Sequence, residues 1–151
     1  MATNNSINNQ LGTIVADNAV AGYVGEFVTS AILQASGISY TPTSLPKNLT
    51  SISLTAGDWN VWGNIVAKPA GTTTVSFMQV GINTVTNTMP DGSLTQVLSS
   101  ASFTTGGNIG LMAPLQRINV STTTTVYIVT IITFGVSTIT ISGNLSARRV
   151  R

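Results

Sequence analysis

Four side chains in this 151-residue sequence carry a carboxylate, Asp17, Glu26, Asp58 and Asp91, and none carries an imidazole or a thiol. Without histidine there is no Ser-His-Asp triad, no imidazole acid–base step and no His-ligated metal. Without cysteine there is neither a disulfide framework nor a thiolate metal site. Two carboxylates alone can run a glycosidase, but the four acids lie far apart in sequence and nothing marks a pair. Asp91 already suits the "MPDG" turn at residues 89–92. No "GxxxxGK" phosphate loop is present. The sequence therefore predicts a protein that is not an enzyme and needs no cofactor or metal.

The densest grouping of unusual side chains is "TAGDWNVWGNIV", residues 55–66, which holds both tryptophans and Asp58. Successive side chains of a strand point to opposite faces. Trp59, Val61 and Ile65 then share the more apolar face and are candidate core, while Asn60, Trp62 and Asn64 share the other. An outward Trp62 has three readings: covered by a loop of its own subunit, buried between subunits, or a stacking platform for sugar with Asn60 and Asn64 bonding hydroxyls. Asp58, just after Gly57, suits a turn in which the carboxylate accepts from nearby backbone N–H groups.

The elements that would position these residues are β. Only 7% of residues are charged, against roughly 25% in ordinary soluble domains, and Thr, Ser and Asn replace them. So neutral a surface resists association weakly, which points to a permanent assembly. The net charge is +2, and three of the six cations, Arg148, Arg149 and Arg151, close the chain in "ARRVR". No basic stripe accompanies them, so nucleic-acid binding is not expected; the tail is either solvated or docked on an acidic neighbour. Residues 118–147 carry no charge, but their apolar residues alternate and are interrupted by "STTTT" and by Gly135 and Gly143. That is two strands rather than a membrane span, which needs about 20 predominantly apolar residues.

Residues 1–16 are polar, Asn-rich and aperiodic, which predicts a flexible arm ahead of one domain over 17–151. Residues 23–33 are ambiguous between helix and strand, with the β-branched content favouring extended chain. Prolines 42 and 46 mark a loop, "LTSISL" alternates cleanly, and "TTVSFMQVGINTV", "LQRINV", "TTVYIVTIITF" and "VSTITISGNLSARRV" are further extended runs. Residues 93–110 give a weak signal, with "TTGGN" as a loop. Short strands punctuated by Gly, Pro and Asn predict an all-β antiparallel sandwich or jelly roll.

"NLTSISLTAGDWNVWGNIVAKPAGTTTV", "GINT" and "QRINVSTTTTVYIVTIITFGVSTITISGNLSARRVR" resemble a family of tailed-bacteriophage virion proteins, seen as tail-fibre-like heads or as small free-standing structural proteins. The resemblance runs from about Asp17 onward, and its specific parts are "GDW", "TTTVY" and the closing "ARRVR". It implies a jelly roll similar in outline to tumour-necrosis-factor and C1q heads, and carries over no enzymatic residue. It implies a virion protein made in the host cytoplasm. The favoured role is a capsid decoration, or cement, protein on the capsid surface, forming a homo-oligomer, with a trimer favoured, and clamping the major capsid protein. No long repetitive shaft precedes the domain, which favours a compact unit docked through its arm. The alternative is a receptor-binding head of a tail fibre or tip, gripping a host surface receptor or polysaccharide through loops at residues 39–47 and 103–110. Candidate interface residues are Trp62, Asn60, Asn64, Arg148, Arg149 and Arg151.

Overall fold

The computed structural model describes residues 17–41, 43–104 and 107–151, the side chains of 100–104 aside; the expected arm over 1–16 lies outside the described residues. Among the described residues nine strands follow one another: β1 Phe27–Ile32, β2 Ile38–Tyr40, β3 Lys47–Leu54, β4 Gly57–Pro69, β5 Thr74–Asn83, β6 Thr95–Thr104, β7 Ile109–Val120, β8 Thr124–Gly135 and β9 Ile139–Arg149. One sheet has the order β1-β9-β4-β7, with β2 pairing β9 beyond the end of β1, and the other has the order β3-β8-β5-β6. Every pairing is antiparallel. Since β1 and β2 share one edge position, nine segments fill the eight places of an all-β antiparallel jelly-roll sandwich, the fold class read from the strand pattern.

Alternation along each strand builds the core. From Asp58 to Pro69 β4 buries nearly every second residue, and Trp59, Val61, Ile65 and Ala67 are fully enclosed. They meet Leu145, Ala147 and Ile141 of β9 and, across the sandwich, Ile52, Leu54, Met78, Ile82, Ile128 and Ile132. Each such aliphatic side chain contributes about 1.5–3 kcal/mol relative to exposure. The two central strands β4 and β9 approach closely: a Cβ on Gly143, whose φ is +142°, would sit 2.0 Å from the Asn64 carbonyl oxygen. Only glycine fits there.

Three local expectations resolve. The ambiguous stretch at 23–33 is extended over Phe27–Ile32. The weak region at 93–110 contains a full ten-residue strand, Thr95–Thr104; its pairing with β5 comes from a partner some twenty residues away, so local pattern understates it. The 39–47 loop begins only after Tyr40, and Thr43 and Ser44 stitch it to β8, with Ser44 N–H donating to the Ile132 carbonyl at 2.8 Å and Phe134 N–H to Thr43 Oγ1 at 3.0 Å.

The two outer faces differ. Over the β3-β8-β5-β6 sheet the chain between β5 and β6 folds back. Asn48 and Asn87 exchange backbone N–H to side-chain oxygen bonds, both 2.9 Å, and Asn48 Nδ2 donates to Thr86 Oγ1 at 2.8 Å. Pro90 lies against Gly81, close enough that a Cβ there would be 2.6 Å from its Cγ. Val129, paired with both Asn48 and Gly81, is thereby fully buried although it stands outside the inter-sheet core.

Candidate interface on the β1-β9-β4-β7 face

One end of β4 and β9 carries ion pairs on both sides of the sheet. On the inner side, Arg149 stands opposite Trp59, with its guanidinium carbon 4.3 Å from the centre of the indole. Its Nε donates to Glu26 Oε2 at 2.9 Å, Nη1 to the Ala56 carbonyl at 2.8 Å and Nη2 to Thr55 Oγ1 at 2.5 Å. The same Glu26 oxygen accepts from Gly22 N–H at 2.7 Å, and Trp59 Nε1 donates to the Thr55 carbonyl at 3.0 Å. A buried guanidinium needs this many acceptors, because desolvation otherwise outweighs the attraction of the pair. Gly57 leaves it room: with φ +147°, a Cβ there would lie 1.8 Å from Arg149 Nη1. Thus the "GDW" and "ARRVR" segments, far apart in sequence, form one packed unit.

Arg149 therefore does not belong among the interface residues. Its side chain is 5% exposed and is committed to Glu26, Thr55 and Ala56. Nor do the last residues form a free tail. Arg149 lies within β9, Val150 N–H donates to the Asp58 carbonyl at 2.8 Å, and the Arg151 carbonyl accepts from Asp58 N–H at 3.4 Å.

Asp58 points to the opposite side. Its carboxylate is not engaged by a local turn but takes Arg117 Nε at 2.8 and 3.0 Å, with Nη2 on the second oxygen, and Arg151 Nε at 3.1 Å. The Arg117 hydrogen bonds, helped by Arg151 and opposed by desolvation, hold its pKa down at about 2. Asp58 itself is 4% exposed, whereas Arg117 and Arg151 are 55% and 74% exposed. Sequence reasoning missed Arg117 altogether. Its only signal was placement on an outward position of "LQRINV", and its partner lies 59 residues away.

The rest of this face is read from strand register. Phe27, Arg148, Asn60 and Arg117 form one row across β1, β9, β4 and β7. The next row holds Thr29, Ser146 and Trp62, and beside Trp62 the β4–β7 register shifts, leaving Pro114 and Leu115 to stand opposite it. The third row holds Ala31, Asn144, Asn64 and Met112. Trp62 is half-buried and its ring centre is 6.1 Å from that of Phe27, at a tilt of 35°. Phe27, Leu115 and Met112 are exposed. Asn60, Trp62, Asn64, Arg148 and Arg151 thus share one sheet face with Arg117, while Trp59, Val61 and Ile65 lie beneath it in the core.

Elsewhere, Asp91 Oδ1 accepts from Ser93 N–H at 2.9 Å and Ser93 Oγ at 2.7 Å, the local turn expected of "MPDG". Among the described residues no group of three or more His, Cys, Asp or Glu could hold a metal ion. No helix among them is long and apolar enough to cross a membrane.

Among the described residues, the loop between β5 and β6 packs over one outer face of this eight-place jelly roll, and the β1-β9-β4-β7 face has no such cover. No protein-family model matches the chain, and no curated protein matches it in sequence. Among solved structures it is similar to a chain of the infectious bursal virus derived T=1 particles, with a TM-score of 0.51 and 14% identity over 93% of this chain and 36% of that one. It is also similar to the VP2 subviral particle of infectious bursal disease virus, with a TM-score of 0.50 and 13% identity over 83% of this chain and 32% of that one. The chain spans about a third of the length of those viral proteins. At such identity the likeness is one of fold: an antiparallel β-sandwich of a kind found in viral particles.

Proposed function

We propose that the protein is a non-enzymatic structural component of a virion, a bacteriophage capsid decoration protein that clamps the joints of the shell. The observation that carries this reading is the outer face of the β1-β9-β4-β7 sheet, where, among the described residues, the exposed Phe27, Leu115 and Met112 and the half-buried Trp62 adjoin outward arginines. Aromatics, Met and Arg are the side chains enriched at protein interfaces. The resemblance of "GDW", "TTTVY" and "ARRVR" to phage virion proteins supports the phage assignment, and the sandwich shared with particle-forming viral proteins supports a shell role. In this reading protomers associate as trimers, and many modest contacts repeated over a symmetric lattice add through multivalency. Glu26 and Asp58, each held by arginine, serve the fold rather than acid–base chemistry.

A second reading, a receptor-binding head, is favoured by an open recess of about 300 Å³ lined by Gln34, Gly37, Lys68, Thr138 and Thr140 at one end of the sandwich. Its donors suit a sugar. Gold-labelled antibody on intact virions separates the two. Label over the head is expected; label confined to the tail end would overturn the decoration role and move attention to the recess. Light scattering on the purified protein should give three times the monomer mass, and a monomer would remove the trimer from the reading.

A further inference from the structure

The charges of this chain are unevenly spent. Arg149 balances Glu26 inside the sheet, and Lys47 and Lys68 match Asp17 and Asp91 in number. What remains is Arg117, Arg148 and Arg151 against the single carboxylate of Asp58, so this one corner accounts for the net charge of +2. The corner is also pre-formed. Asp58, nearly buried, holds Arg117 by Nε and Nη2 and Arg151 by Nε, which leaves Nη1 of Arg117 and both Nη atoms of Arg151 without a partner among the described residues. Arg148 has no ion-pair partner among them either, and flanks Asn60 from the side opposite Arg117. With strands about 4.8 Å apart, the two guanidinium-bearing strands are about 10 Å apart. Holding a guanidinium in place before binding lowers the entropy cost of a bidentate contact.

We infer that Arg117 and Arg151, held by Asp58, together with Arg148 form an acceptor site for carboxylates on a protein partner, with Phe27, Trp62, Leu115 and Met112 as the adjoining apolar contact. The inference rests on the shell-binding reading and names the chemistry of its partner surface as Asp and Glu side chains. Two observations select protein over phosphate. The cations are three arginines in one corner, not a stripe able to track a backbone. Beside them the exposed Phe27, Leu115 and Met112 and the half-buried Trp62 supply apolar contact area suited to a packed protein interface and not to a hydrated polyanion.

The test uses the full chain and virion shells stripped of it. Wild-type protein should bind the shells, and Arg148→Glu, which breaks no ion pair among the described residues, should weaken binding about tenfold or more. Arg151→Gln should weaken it by less, and both variants should keep the wild-type thermal transition. Converting shell carboxylates to amides with carbodiimide and glycinamide should abolish binding. If wild-type and Arg148→Glu bind equally, or amidated shells bind normally, this inference fails while the shell-binding role stands. If wild-type ignores the shells, that role fails and takes the inference with it. Duplex DNA and polygalacturonate are run in parallel; Arg148-dependent binding to either that exceeds binding to shells would overturn the choice of a protein partner.

Discussion

Arg149 and its neighbours Arg148 and Arg151 make the same functional group do opposite work on two sides of one sheet. Arg149 is enclosed, with a carboxylate, a carbonyl, a hydroxyl and an indole face around it. Arg148 and Arg151 point outward, and with Arg117 they outnumber the carboxylate beneath them. Strand alternation separates Arg148 from Arg149, while Arg151, beyond the end of β9, reaches Asp58 on the outer side. A run of basic residues that reads as one tail in sequence is divided, within β9 and just past its end, into a structural member and a surface. The difference teaches that the energetic weight of an arginine is set by what surrounds it: breaking a buried pair strands a charge in low dielectric, whereas an exposed pair exchanges one solvated state for another.

The sharpest way to break the comparison is Arg149→Met, which leaves Glu26 buried without its partner. A loss of about 3–5 kcal/mol is expected, seen as a fall in thermal midpoint on the order of 10 °C. Adding Glu26→Gln should recover much of it, and failure to recover would show that the cation over Trp59, not the ion pair, carries the stability. Gly57→Ala should cost about 1–3 kcal/mol by denaturant titration, because its Cβ would meet the Arg149 guanidinium at 1.8 Å and its φ of +147° disfavours a side chain.

On the outer side the effect is one of pH. The folded pKa of Asp58 lies near 2, below the ordinary 3.8, so its contribution is complete above about pH 4 and is lost as pH falls toward 2. Arg117→Gln should raise that folded pKa and flatten the acid limb of a stability-against-pH curve. The smallest effect belongs to Arg148→Ala, expected within about 0.5 kcal/mol of wild type with the acid limb unchanged. A larger loss would mean that Arg148 is structural like Arg149, and the division between the two faces would not hold.

The strands were largely legible because one sheet face is buried and alternation is the direct record of that. The two tryptophans illustrate it: an odd spacing puts Trp59 in the core at 0% exposure and Trp62 on the outer face beside Phe27. Pairing was not legible. Asp58 looked local because Gly57 precedes it, yet its partners lie 59 and 93 residues away. Arg149 looked like part of a tail for the same reason, since nothing within ten residues reveals Glu26, 123 positions earlier. The cover over the β3-β8-β5-β6 sheet was equally hidden. It depends on a reciprocal bond between Asn48 and Asn87 that no periodicity encodes.

The place of β9 has a consequence in time. It lies between β1 and β4, so that sheet cannot be assembled in the order in which its strands are synthesised: β1 and β4 have no shared partner until β9 exists. Closing contacts over such separations is entropically slow, and refolding in roughly milliseconds to seconds is expected for a topology this non-local. Until then the unpaired flanks of β1 and β4 offer themselves to any other chain in the same condition. A low-charge, Thr-rich surface does little to keep such chains apart. Yield of this protein should therefore depend on how crowded the nascent chains are, and fall at high expression before any change in the stability of the folded form.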